Sequence, residues 1–195
     1  TLDFNNGSDS GSADAFVTKI NAAGDTVLFS SFLGGSDADD GRGIDVLVAD
    51  PFTLIYVAGY TTSTNFPLSS ALQTNYQGLG DGFASVLVAE NGALLYSTYL
   101  GGTARDEAMD IAVDTSGRAH VTGYTRSSDF PITNAFQSSL LGSRDAFVTK
   151  INFAAASFVY STYFGGTAFD TAYSLDIDSS GNVYLVGETS SFNFP

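Results

Sequence analysis

Tyr96-Ser97-Thr98-Tyr99-Leu100-Gly101-Gly102 returns as Tyr160-Ser161-Thr162-Tyr163-Phe164-Gly165-Gly166. From there Tyr96–Pro131 and Tyr160–Pro195 align without a gap, and 18 of the 36 positions are identical. Self-similarity at a fixed period marks a repeat architecture and takes precedence over any local reading. Outward from this stretch, Phe66-Pro67 recurs as Phe130-Pro131 and Phe194-Pro195, and Gly34-Gly35 precedes the two Gly-Gly pairs already quoted. Asp14-Ala15-Phe16 recurs as Asp81-Gly82-Phe83 and Asp145-Ala146-Phe147. Three copies, approximately 1–67, 68–131 and 132–195, fill the chain, which reads as a single repeat domain. The first copy carries three extra residues around Asp50 to Thr53, where Asp50-Pro51-Phe52-Thr53 replaces the turn Asp114-Thr115-Ser116-Gly117.

Each copy reads as four strands. In the middle copy the first is the apolar run Asp110–Asp114, followed by a turn rich in Asp, Ser and Gly. The second is Ala119–Thr125. A long loop through Phe130-Pro131 leads to a third strand, Asp145–Asn152, and a fourth, about Phe158–Phe164, which Gly165-Gly166 ends. The expected fold class is all-β: propeller-like blades of four antiparallel strands, twelve strands in all, with split half-blades at the two ends. A solenoid-like stack of the same sheets is the alternative architecture. Helix is expected only as a short turn in the long loops near Ala71–Tyr76 and Ala135–Leu140.

The strings Tyr96–Gly102, Ile111-Ala112-Val113-Asp114, Val121-Thr122-Gly123-Tyr124-Thr125 and Asp145-Ala146-Phe147-Val148-Thr149-Lys150 resemble the bacterial β-propeller repeat called SBBP. The resemblance covers all three copies. It implies large secreted or surface-attached bacterial proteins with a propeller fold, hence an extracellular or cell-surface location, and it transfers no catalytic residue.

Composition narrows the function. Seven Lys and Arg stand against 21 Asp and Glu, a net charge of −14. Such a chain repels phosphate, which argues against nucleic acid and against anionic membranes. With no cysteine there is neither a disulfide framework nor thiolate chemistry. No apolar run approaches the ~20 residues of a membrane helix.

The candidates for chemistry are few. His120, the only histidine, occupies the place of Tyr56 and Tyr184 and reads as a packing residue rather than a base. Asp14, Asp81 and Asp145 each precede a third strand; Asp39, Asp106 and Asp170 each lie four residues after a Gly-Gly pair. Paired carboxylates suit glycosidic acid and base roles, but catalysis needs one asymmetric pair rather than three copies. Turn aspartates that accept backbone N–H groups are the preferred reading. Ser36-Asp37-Ala38-Asp39-Asp40-Gly41 is the densest acidic stretch, and Asp37, Asp39 and Asp40 are candidate calcium ligands, without the full spacing of an EF-type loop. Asp3, Asn5 and Asp9 form a second, weaker candidate. No cofactor is required on this reading, although calcium is possible.

The expected function is that of an extracellular structural or adhesive repeat module, without catalysis, that mediates assembly or surface binding. The alternative is a propeller that holds a glycan or calcium in loops on one face. The cut in the long loop leaves two strands at each end without partners. Expected partners are therefore a second copy of the chain, in a ring or a head-to-tail filament, or further repeats of a longer chain.

Overall fold

The computed structural model describes residues 2–5, by their backbone, and residues 12–195. Strands dominate, as the repeat requires. In chain order they are β1 (Leu2–Asn5), β2 (Ala15–Ile20), β3 (Val27–Gly34), β4 (Asp39–Ala49), β5 (Phe52–Thr61), β6 (Asp81–Val88) and β7 (Leu94–Leu100). Then come β8 (Asp106–Val113), β9 (Ala119–Thr125), β10 (Asp145–Asn152), β11 (Ser157–Phe164), β12 (Asp170–Ile177) and β13 (Val183–Thr189).

Two complete blades stand in the middle, with strand orders β4-β5-β6-β7 and β8-β9-β10-β11, every neighbouring pair antiparallel. Each blade takes its first two strands from one sequence copy and its last two from the next. At the ends lie two half-blades: β2 and β3 supply a third and a fourth strand, β12 and β13 a first and a second. The fold is all-β and propeller-like, and no sheet closes on itself among the described residues.

Three details differ from expectation. The first strands begin earlier, at Asp106 in the middle copy rather than at Asp110, because the ladder continues across a bulge between Ala108 and Asp110. The same bulge falls between Gly41 and Gly43 and between Ala172 and Ser174, so it belongs to the repeat. The described strands number thirteen rather than twelve, and β1 runs parallel to β3. An outer strand presents unpaired backbone groups, and the segments after Phe66-Pro67 and Phe130-Pro131 cover them in the two complete blades. Ser69 bridges to Ser97, and Thr133 to Ser161, antiparallel; in the first copy a short parallel strand covers that edge. The long loops therefore lie along the outer strands without a helical turn. The 3-10 turn found among the described residues is Phe153–Ala155, where the Asn152 side chain accepts from the Ala155 N–H.

The three-residue insertion lengthens the β4–β5 hairpin to 11- and 10-residue strands, against 8 and 7 in β8 and β9. Its Tyr56 hydroxyl donates to Gly117 O at the tip of the next blade, 3.1 Å away. Two apolar clusters hold the sheets together. One joins the N-terminal half-blade (Ala15, Val17, Phe29, Leu33) to Phe83, Leu87 and Tyr99 of the first blade. The other joins Ala84, Val86 and Leu100 of the first blade to Val121, Phe147 and Tyr163 of the second. The first strands also meet directly: Asp45 accepts from the Val113 N–H at 2.8 Å, and Asp110 from the Leu175 N–H at 2.9 Å. A Cβ on Gly43 would sit 2.6 Å from the Asp110 backbone, so β4 approaches β8 that closely only because residue 43 has no side chain.

Candidate functional site

The repeated aspartates converge in pairs. The first glycine of each Gly-Gly pair lies between one carboxylate from a third strand and one from a first strand. A Cβ on Gly101 would lie 2.5 Å from Asp81 Oδ1 and 3.0 Å from Asp106 Oδ2. Gly34 separates Asp14 from Asp39, and Gly165 separates Asp145 from Asp170, in the same way.

The first-strand member is held alike at its Oδ2 in every copy. Asp106 Oδ2 accepts from the Gly102 N–H and the Ser127 hydroxyl, both at 2.7 Å. Asp39 accepts from Gly35 N–H and Ser63, and Asp170 from Gly166 N–H and Ser191. These contacts tie the end of one fourth strand to the following hairpin. Burial raises the Asp106 carboxyl above its ordinary range, against the hydrogen bonds that favour the charge.

The third-strand members differ. Asp145 accepts from Gln137 Nε2, Leu141 N–H and Gly142 N–H. Asp81 accepts from Gln77 N–H, while its Oδ1 has no hydrogen-bond partner. Burial pushes the Asp81 carboxyl up to about 7; the Asp106 and Asp129 charges add to this, and the Gln77 N–H opposes it. The two junctions share a sequence pattern but not a donor set.

The calcium candidates do not converge. Strand alternation turns Asp39 inward onto Gly35 and Ser63, while Asp40 faces outward and pairs with Arg42 at 3.0 Å. Asp37 Oδ2 accepts from the Ser36 hydroxyl at the surface. Among the described residues no group of three His, Cys, Asp or Glu side chains is arranged to hold a metal ion. Asp9 and the side chains of Asp3 and Asn5 lie outside the described residues.

His120 is fully buried. Its Nδ1 meets the Tyr160 hydroxyl at 3.3 Å; its Nε2 stands 3.8 Å from Asp114 Oδ2, beyond hydrogen-bond reach. Burial, then the Lys150 charge, push its pKa down to about 4, against the pull of Asp114. Lys150 itself pairs with Asp114 at 2.9 Å.

Sequence reasoning passed over two groups. At the first-strand bulges, Glu107 receives Arg42 from the preceding blade, Arg105 and the Tyr124 hydroxyl. Arg105 also lies over the Tyr60 ring, 4.7 Å from its centroid. These residues vary between copies, so the repeat gave no signal for them. The other group does repeat. Phe66 packs on Phe83 and Tyr99, with centroids 4.5 and 6.1 Å apart, and Phe130 on Phe147 and Tyr163 at 4.7 and 6.1 Å. The tyrosine hydroxyls donate back to Ser63 O and Ser127 O. The shared period of the Phe-Pro and Asp-x-Phe motifs was the available clue to these triads.

The family model described as SBBP, beta-propeller repeat, matches residues 95–131 and 159–195. These two segments are SBBP beta-propeller repeats. Each match covers most of a fourth strand, a Gly-Gly turn and a complete first-and-second-strand hairpin up to Phe-Pro, the segment that contains Asp106 and Asp170. The buried carboxylates are thus part of the SBBP unit itself. No curated protein matches the chain. No helix among the described residues is long and apolar enough to cross a membrane.

Proposed function

We propose that this SBBP chain is a non-catalytic structural module, extracellular or at a bacterial cell surface, which works through protein contacts at its open half-blades. The observation that carries this reading is the exposure of residues whose repeat equivalents form the core. Phe16 is 69% exposed, whereas Phe83 and Phe147 at the same repeat position are 0% exposed. Phe32 pairs with it in the N-terminal half-blade, and Tyr184 and Val186 are exposed on the C-terminal half-blade. Exposed apolar faces of this kind mark interaction surfaces. The first-strand carboxylates support the same reading, since each is engaged by a turn N–H and a serine hydroxyl in all three copies.

A second reading, a propeller that holds a glycan, has one observation in its favour. A groove of about 360 Å³ opens between the β8–β9 and β12–β13 tips, lined by Asp114, Arg118, Lys150, Asp178 and Ser180. It lies where the second blade lacks the insertion that fills the corresponding space beside the first.

The test is to complete one half-blade in the same chain, by fusing a copy of residues 1–34 behind Pro195, where it continues the repeat in register. Burial of each large apolar side chain contributes roughly 1.5–3 kcal/mol, and 1 kcal/mol shifts Tm by ~2–4 °C at this size. The fusion is expected to raise Tm by at least ~5 °C. An unchanged Tm, with a rise on adding oligosaccharide to the unfused chain, would replace the first reading with the second.

A further inference from the structure

We infer that the groove at the tip of the second blade is a binding site for a sugar that carries a single carboxylate, such as a uronic acid unit; this deepens the glycan reading above and rests on it. Four positions at which the two complete blades differ create the groove. In the first blade they are Leu47, Leu54, Tyr56 and Val86. In the second, the equivalent places in the ladders hold Asp114, Arg118, His120 and Lys150. The first set packs into the apolar cluster between the two blades. Its Tyr56 hydroxyl and Leu47 come within 3.3 and 3.6 Å of where a Cβ on Gly117 would be, at the tip of the next hairpin. The second set does not reach across. Nothing lies within 4 Å of the same point on Gly181, the equivalent of Gly117 in the hairpin that follows. The space left is the groove of about 360 Å³, a volume in the range of ligand sites.

The walls belong to whole units: Asp114 and Arg118 to the β8–β9 hairpin, Lys150 to β10 of the complete second blade, Asp178 and Ser180 to the turn of β12–β13. At the first junction the side chains that reach the tip glycine come from the first and second strands of the upstream blade. The groove therefore arises from the composition of the second blade, and a strand added beside β13 leaves those four residues as they are.

The chemistry of the walls selects the ligand. Most ligand sites are lined chiefly by apolar groups, whereas this one has hydroxyls from Thr115, Ser116, Ser179 and Ser180. Its acceptors are engaged. Asp114 Oδ1 accepts from the Ser116 and Arg118 N–H groups, and Oδ2 from Lys150. Asp178 Oδ1 accepts from the Ser180 and Asn182 N–H groups, and Oδ2 from the Asn182 amide and the Tyr184 hydroxyl. Its donors are in surplus. Lys150 has three N–H groups and one carboxylate. The Arg118 side chain is in none of the ion pairs among the described residues, in a chain with 21 acidic residues against 7 basic ones. A guanidinium fork matches a carboxylate. A net charge of −14 repels a polyanion, so one carboxylate among hydroxyls is the chemistry that fits.

The experiment is titration calorimetry on the full chain with two disaccharides, cellobiouronic acid, which has one carboxylate, and cellobiose, which has none. Cellobiouronic acid is expected to bind saturably and cellobiose at least about 10-fold more weakly. Arg118 is exposed, so Arg118→Leu, which installs the first blade's residue, leaves the fold intact; it is expected to lose at least about 10-fold in affinity, and Arg118→Lys to retain most of it. The chain with residues 1–34 fused behind Pro195 is expected to bind as the parent does. Equal affinity for the two sugars would overturn the inference and leave the glycan reading standing. Binding that Arg118→Leu does not weaken would place the site elsewhere, and binding lost in the fusion would show that a following repeat fills the groove; either result overturns it. No binding of either sugar would defeat both the inference and the glycan reading.

Discussion

The second blade and the two terminal half-blades are built from equivalent segments of the repeat in the same order, yet they are in opposite states. In the blade, Phe147 is enclosed by Phe130, Tyr163 and the Gly123 backbone. In the half-blades, Phe16 and Gly187 hold the same positions on separate sheets, and Phe16 lies in water. A propeller repeat does not carry its core within itself. The core forms where the second strand of one unit meets the third strand of the next. The strands are local; the burial is not.

The largest difference is expected at that phenylalanine. Phe147→Ala removes a fully buried ring and leaves a cavity, at a cost of about 3–5 kcal/mol. Phe16→Ala removes an exposed ring from the isolated chain and is expected to cost under about 1 kcal/mol there. Denaturant melts at low protein concentration measure both. Equal losses would mean that Phe16 is already buried in the monomer and would break the comparison.

The sequence made much of this legible, for a physical reason. Side-chain period and turn chemistry are short-range, so strands such as β9 and β10 were readable to the residue, and a family likeness could rest on them. The bulge after Ala108 was not readable, because a bulge is visible only against a partner strand. The pairing of Asp81 with Asp106 was equally hidden, since their 25-residue separation in sequence says nothing of a meeting across Gly101. Arg42 and Glu107 come from different blades, and nothing local links them. The extra turn at Asp50-Pro51 was seen, but its role, to send Tyr56 across to the neighbouring tip, depends on how the blades stand side by side.

An intermediate effect is expected at the carboxylate pairs, which sharpen the comparison within the two complete blades. Asp81 has one donor and an unpaired oxygen, whereas Asp145 has three donors. With its pKa raised to about 7 in the fold, Asp81 binds its proton more tightly than in the unfolded chain. Its contribution to stability is full below about pH 4 and is lost as pH rises through about 7. Asp81→Asn, neutral at every pH, is expected to flatten that decline. Asp145→Asn is expected to destabilise at pH 7, because an amide group cannot accept from all three donors. Melting temperature followed from pH 4 to 8 distinguishes the two, and a parallel loss in both variants would show that the unpaired Asp81 oxygen is immaterial.

The smallest effect at neutral pH is expected at His120, the one place where the second blade departs from the tyrosine of its neighbours. Tyr184 in the C-terminal half-blade donates to Asp178 Oδ2 at 3.2 Å. A tyrosine at 120 would find Asp114, the equivalent of Asp178, in the same relation, and Asp114 itself borders an open groove with Arg118 and Lys150. His120→Tyr is therefore expected to stay within about 0.5 kcal/mol of the parent at pH 7. Below that the two should part. The buried imidazole, with its pKa near 4, resists a proton that the unfolded chain accepts near 6.5. The parent thus loses stability as pH falls from about 6.5 towards 4, opposite in sign to the Asp81 contribution over the same range. Tyrosine has no such titration, so His120→Tyr should be the more stable chain at pH 5, and combining it with Asp81→Asn should leave the smallest pH dependence of the four. Denaturant midpoints at pH 5 and 7 for the parent, both single variants and the double variant decide it. A His120→Tyr chain destabilised equally at both pH values would mean that the imidazole fits a space that tyrosine cannot, and that the second blade is specialised there rather than merely varied.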